Sequence, residues 1–174
     1  MRRPGAFSLL LAALLPVGAC APAPPPAPPL VPAAAPMVEY LLVDKSERTL
    51  WAYSRGKIVR TYTGLQFGDA MFGHKQFEGD ERTPEGRYVI DTRNPDSRYH
   101  LSLRISYPNP QDRAYAASRG RDPGGDIFLH GQPNGIASGR MQGDWTDGCI
   151  ALANPEIAEL YELVEDGTVI DIRP

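Results

Sequence analysis

Two side chains in this sequence are of types that carry out acyl chemistry together: an imidazole at His130 and a thiol at Cys149. His130 ends the apolar run Asp126-Ile127-Phe128-Leu129-His130 and is followed at once by Gly131, so a strand delivers the imidazole into a turn. Cys149 lies in Asp144-Trp145-Thr146-Asp147-Gly148-Cys149-Ile150, where Gly148 frees the backbone to bend just before the sulfur. An imidazole beside a thiol draws it toward thiolate, and the imidazolium then protonates a leaving amine, which is what acyl transfer from a peptide requires. Backbone N–H groups at the Gly148-Cys149 turn are the candidate oxyanion donors, each worth about 3 kcal/mol of transition-state stabilisation.

Four neighbours are candidates for substrate contact. Asp147 suits a substrate amine or the orientation of His130, and Arg140 suits a peptide carboxylate or plain solvation. Trp145 suits packing or a cleft wall, as does Tyr107, and Thr146 completes the set. His74 and His100 occupy no strand-to-turn segment with a partner and are expected to be structural or substrate-side. His130, Asp147 and Cys149 make a poor zinc set, because Asp147 and Cys149 are two apart and no second His is near in sequence. No metal and no cofactor is expected.

The elements that must position these groups are mostly strands. Short β-branched and aromatic runs at 40–43, 49–53 and 58–63 are punctuated by Ser46-Glu47 and Ser54-Arg55-Gly56, which predicts a three-stranded meander. A long Gly-containing loop over 64–86 follows, of a length that is usually functional or mobile, then strands near 87–92, 101–106 and 126–130. A helix is expected from Asn109 or Pro110 to Ser118. A second is expected over 154–164, with Asn154 as cap, Pro155 at the first helical position and Ile157, Leu160, Tyr161 and Val164 on one apolar face. Asp166-Gly167 should end it, leaving 168–172 as a closing strand. The fold class is a β-rich α+β domain with two short helices.

The front of the chain is a different material. Of 18 Pro in 174 residues, ten fall in the first 36. Met1-Arg2-Arg3 followed by the apolar run 6–17 has the size of a signal-peptide core and is too short to span a bilayer. It ends in Val17-Gly18-Ala19-Cys20, which resembles the lipobox of bacterial lipoproteins. The resemblance implies a signal peptide over 1–19, lipid on Cys20 and a membrane anchor; a secretory signal with an incidental Cys20 is the alternative. The Pro/Ala-rich stretch 21–36 reads as a polyproline II spacer, or alternatively as a ligand for a Pro-binding module, and 37–174 as the catalytic body. If Cys20 bears lipid, Cys149 has no disulfide partner, so a chemical reason for its presence is favoured. A net charge of −3 disfavours a nucleic-acid partner. The expected location is the bacterial cell envelope, facing the periplasm and held by lipid, in the outer rather than the inner membrane.

His130-Gly131, a gap of fourteen residues, then Thr146-Asp147-Gly148-Cys149 resembles the signature of the YkuD-type L,D-transpeptidases, and Thr83-Pro84-Glu85-Gly86 is similar to that family's Thr-Pro-x-Gly segment. The resemblance covers 38–173. It implies a mixed β-sandwich, Cys149 as nucleophile, His130 as its base and acid, the Gly131 carbonyl orienting His130, and Gly148 in the oxyanion hole. It implies peptidoglycan stem peptides as partners, with a thioester formed at diaminopimelate. Two positions depart from the family pattern, Asp147 for its His and Ala151 for its Arg. The segment Asp144 to Ala151, with Tyr99-His100-Leu101-Ser102-Leu103 upstream, resembles the YafK branch, in which some members crosslink and others hydrolyse, releasing a linked envelope protein. An amine acceptor gives transpeptidation, water gives hydrolysis, and a drifted pair leaves a non-catalytic binding lipoprotein.

Overall fold

Alternating burial along β1 (Val38–Asp44) puts Val38, Leu41 and Val43 into the core, and β2 (Thr49–Ser54) does the same with Leu50 and Ala52. With β3 (Lys57–Thr63), which buries Tyr62, they form the expected antiparallel meander. The computed structural model describes residues 37–136 and 138–174. The expected signal peptide, Cys20 and the Pro/Ala-rich stretch lie outside the described residues.

The strands join into one eight-stranded mixed sheet in the order β3-β2-β1-β8-β4-β5-β6-β7. The last strand, β8 (Val164–Arg173), slots in parallel to β1. The twelve-residue β4 (Gly86–Ser97) pairs with β8 through Gly86 to Val89, and with β5 (His100–Ile105) from Ile90 onward. Register shifts between Ile90 and Thr92, and again between Asn94 and Ser97, let this shared strand curl the sheet. β6 (Phe128–His130) runs antiparallel to β5, and the two-residue β7 (Ile150–Ala151) runs parallel to β6. One apolar cluster draws side chains from both halves of the sheet.

Helix α1 (Pro110–Ser118) begins as expected. The Asn109 side chain accepts from Gln111 N and Asp112 N at 2.8 and 3.0 Å, while Asp112 takes the Asn109 N–H at 2.8 Å. Helix α2 (Asn154–Leu163) departs in two respects. Its cap is Ala153, whose N–H goes to Glu156 Oε2 at 2.8 Å, so Asn154 is helical and its side chain is released for another task. The helix also stops at Leu163, and Asp166-Gly167 do not end it: they lie in β8, where the register jumps between Val38 opposite Val164 and Tyr40 opposite Val169. Pairing with β1 claims Val164 before any local turn can form. Ile157, Leu160 and Leu163 are the buried face, with Tyr161 partly buried against the core.

The long segment between β3 and β4 is tied down. Leu65 and Phe67 are fully buried, and isolated bridges join Gln66 to Ala151 and Gly68 to Thr146. The segment therefore pairs with the stretch that carries the candidate nucleophile.

Candidate active site

Strand parity brings the two reactive residues to one place. His130 ends β6 and is in register with Ala151 on β7, while Cys149 stands two residues before Ala151 and so shares its face. A one-residue slip of either strand would turn one group away. Both residues line each of two clefts, one of about 500 Å³ and one of about 460 Å³, and Tyr99 and Asp126 are common to both as well. The pair thus stands where the clefts meet.

His130 is buried, and its Nδ1 lies 2.7 Å from the Gly131 carbonyl oxygen, the orienting contact that the family resemblance implied. A carbonyl oxygen only accepts, so Nδ1 carries the hydrogen and Nε2 keeps its lone pair. Gly131 has to be glycine: a Cβ there would lie 2.6 Å from Asn154 Oδ1 and 2.9 Å from Tyr99 O. Asn154 Oδ1 is in turn the acceptor of Gln132 N at 2.7 Å, which is the use the fold makes of the residue expected to cap α2. Three rings pack together here: Tyr99 stands 4.7 Å and Trp145 5.5 Å from His130, centroid to centroid. The Trp145 indole lines the first cleft.

Cys149 Sγ donates to the Asp126 carbonyl at 3.5 Å, and no hydrogen bond joins it to His130 among the described residues. Burial raises the thiol from 9.0 to about 11, and the Asp147 and Asp126 charges push the same way, against the Phe128 N–H and Lys75. Burial lowers His130 from 6.5 to about 4, opposed by its bond to Gly131. The thiolate–imidazolium pair expected from the sequence is therefore not the resting state. The two shifts favour a neutral thiol beside a neutral imidazole.

The turn before the nucleophile is held from several sides. Gly148 has φ +113°, and a Cβ on it would lie 2.5 Å from the Arg82 carbonyl oxygen. The buried Thr83 hydroxyl donates to Gly148 O at 2.9 Å, and the Thr146 hydroxyl donates to Cys149 O at 2.7 Å. Upstream, Arg48 grips Asp144 through both guanidinium nitrogens at 2.7 and 2.6 Å, and Asp144 also accepts Phe67 N at 2.9 Å. Arg48 holds the Asp144 carboxyl below its ordinary range.

Three expectations change. The Gly148 N–H is directed at Thr146 Oγ1 at 3.3 Å, so the donor left for an oxyanion is the N–H of Cys149 itself, which has no partner among the described residues. Thr146, though it lines the first cleft, spends its hydroxyl on the turn. Arg140 lines neither cleft: its guanidinium is committed to Thr63 O, Gly64 O and Glu156, a tie between the sheet and α2 rather than a carboxylate site. Asp147 is exposed and lines the first cleft. His74 is structural, accepting Glu85 N at Nδ1 and meeting Asp112 at Nε2, and Tyr107 is buried with its hydroxyl on Pro123 O. His100 is exposed outside both clefts. Sequence reasoning assigned no role to Tyr99, Asp126, Arg48 or Thr83. Only Thr83 and Tyr99 had a signal, since each stands in a segment that resembles the family.

The L,D-transpeptidase catalytic domain family, YkuD, matches residues 38–172. YafK of Escherichia coli strain K12 is 29% identical over an alignment of 136 residues, with a coverage of 75% of this chain and 48% of YafK. Pgp2 of Campylobacter jejuni, described as a helical cell shape determining protein, superposes with a TM-score of 0.62 at 29% identity, covering 78% of this chain and 47% of its own. An L,D-transpeptidase of Mycobacterium smegmatis shares the fold, at 18% identity and a TM-score of 0.52 over 79% of this chain and 59% of its own. The chain spans about half the length of YafK and of Pgp2. With His130 and Cys149 meeting in one cleft and the family matched over nearly all the described residues, the chain belongs to the YkuD family of L,D-transpeptidase catalytic domains.

Proposed function

We propose that this chain is a peptidoglycan-modifying cysteine acyl transferase, in which Cys149 forms a thioester with a stem peptide at its diaminopimelate residue. The observation that carries this is the placement of Cys149 and His130 at the meeting of two clefts, with the free lone pair of His130 on Nε2. Two clefts at one sulfur give an acyl donor and an acyl acceptor separate routes to the same atom.

In this reading Nε2 takes the thiol proton as Sγ attacks the carbonyl, forming the C–S bond and placing an oxyanion near the Cys149 N–H. Collapse breaks the C–N bond, and the imidazolium returns its proton to the leaving amine. An incoming amine then gives its proton to Nε2 and attacks the thioester, releasing the thiol with a new amide. Water in the same position gives hydrolysis. Mass analysis of products from tetrapeptide muropeptides and from protein-linked peptidoglycan tests the reading: new crosslinks are expected. Shortened stems or liberated envelope protein alone would replace transfer with hydrolysis, and no thioester on Cys149 with any donor would remove both.

A lipid on Cys20, with 21–36 as spacer, would hold the domain in the cell envelope facing the periplasm, at the outer membrane. The lipobox-like Val17 to Cys20 supports this. Metabolic labelling with an alkynyl fatty acid should mark the wild-type chain and not Cys20→Ala. A role in cell shape, as the description of Pgp2 states for that protein, follows if the crosslinks alter the wall.

A further inference from the structure

The two clefts that meet at Cys149 differ in charge. The first is lined by Glu78, Glu81, Asp126 and Asp147 against a single cation, Lys75. That lysine is already spent: its side chain is 3% exposed, and Nζ pairs with Asp80 at 2.9 Å and donates to Phe77 O at 3.1 Å. The second cleft is lined by Asn94, Ser97, Ser102, Asp96 and Asp126, with Arg98 as its cation. Arg98 is exposed, and its guanidinium makes no hydrogen bond or ion pair among the described residues. Among the described residues, it is the one cation lining either cleft that is left free to bind an anion.

Its backbone, in contrast, is fixed. Arg98 is in the turn between β4 and β5, where its carbonyl accepts Asn134 N at 3.2 Å, and Asn134 Nδ2 donates to Ser97 O at 3.1 Å. Asn134 Oδ1 takes His100 N at 2.8 Å, and Tyr99 N donates to Ser97 Oγ at 3.1 Å. A pinned turn presents an open, planar, permanently charged fork to a cleft that Cys149 also lines, and such a fork matches a carboxylate. The position where the family pattern has Arg cannot do this here. Ala151 is fully buried, in register with His130 and bridged to Gln66.

We propose that Arg98 is a specificity residue that binds the terminal carboxylate of the acyl donor, on the amino acid that leaves when the thioester forms. This rests on the acyl-transfer reading above. That carboxylate lies one residue beyond the attacked carbonyl, about 3.5 Å of extended chain, and Arg98 and Cys149 both line the cleft it would enter. Seating it at Arg98 fixes the direction of the donor: the leaving residue occupies the second cleft, which becomes the acceptor's route once that residue has departed, and the acyl portion turns toward the acidic first cleft, which favours ammonium groups.

The test uses three stem tetrapeptides: the free acid, the C-terminal carboxamide, and a form amidated on the diaminopimelate side chain. Each is given to the wild type, Arg98→Ala and Arg98→Lys, with binding measured calorimetrically and acylation of Cys149 followed by intact mass. The wild type should prefer the free acid over the carboxamide by about tenfold in KM and in Kd, or about 1.4 kcal/mol. Arg98→Ala should abolish that preference with the saturating rate unchanged, and Arg98→Lys should restore part of it. A preference that survives in Arg98→Ala, that is absent from the wild type, or that follows side-chain amidation instead overturns the proposal. Acylation without the preference would sink Arg98 and leave the function intact. An Arg98-dependent preference in binding without any acylation would do the reverse.

Discussion

Cys149 Sγ donates to the Asp126 carbonyl and its thiol is raised to about 11, so in the proposed mechanism His130 would remove that proton during attack rather than before it. The pH dependence follows from the two shifted groups. Acylation by a tetrapeptide should be level through neutrality and fall only as pH drops through about 4, where Nε2 becomes protonated and can no longer accept. Alkylation of Cys149 by iodoacetamide, which needs no base, should instead climb with pH toward about 11. An alkylation rate already level at pH 6 would mean a preformed thiolate and would sink this reading. His130→Ala should slow acylation by about 10²- to 10⁴-fold, the usual worth of a positioned base, while alkaline alkylation persists.

Local elements carry the precision of the site. Gly148 combines a left-handed φ of +113° with an absence of room, so Gly148→Ala must push the turn off the Arg82 carbonyl. It should remove acylation more completely than it lowers Tm, because the displaced atoms are those adjoining the nucleophile. Asp144→Ala breaks the two-pronged contact with Arg48 of the β1–β2 turn and strands Phe67 N, the bonds that fasten the Cys-bearing segment to that turn and to the loop between β3 and β4. Loss of about 1–3 kcal/mol in urea unfolding is expected from one charged contact of this kind. The rate at saturating donor should fall more than KM rises, since the residue touches the turn and not the cleft. An effect confined to KM would place Asp144 in substrate binding instead.

At the scale of the whole molecule, the buried His130 and the half-buried Cys149 set a stability window. An unfolded His takes up a proton below about 6.5, which the folded His130 refuses until about 4, so stability should fall as pH drops through that interval. An unfolded Cys loses its proton above 9.0, which Cys149 keeps until about 11, so stability should also fall as pH rises through that range. Tyr62, Tyr88 and Tyr107, all raised chiefly by burial, add to the alkaline loss. Urea midpoints measured across pH should therefore peak between about 6.5 and 9, and His130→Gln should flatten the acid side. The carboxylates that Arg or Lys partners hold low, Asp80, Asp144 and Asp171, weaken the fold only as pH falls below about 3.8, so a loss between about 6.5 and 4 that persists in this variant would overturn its assignment to His130.

By itself the sequence determined which residues are of a type to carry acyl chemistry, and most of the elements. A strand ending in His130-Gly131 and a Gly148-Cys149 turn are local facts, as are the β1 to β3 meander and the Asn109 cap, because period-two burial and capping depend on neighbours in the chain. What it could not decide were matters of competition between distant partners. Asn154 reads as a cap and serves Gln132, Asp166-Gly167 read as a helix stop and lie in β8, and Arg140 reads as free and is bound to the sheet and α2. Tertiary structure alone set the desolvation that raises the thiol and lowers the imidazole, since it depends on what the rest of the chain places around them. It alone also left Arg98 open beside a cleft, because whether a cation is free depends on which acids the fold brings within reach.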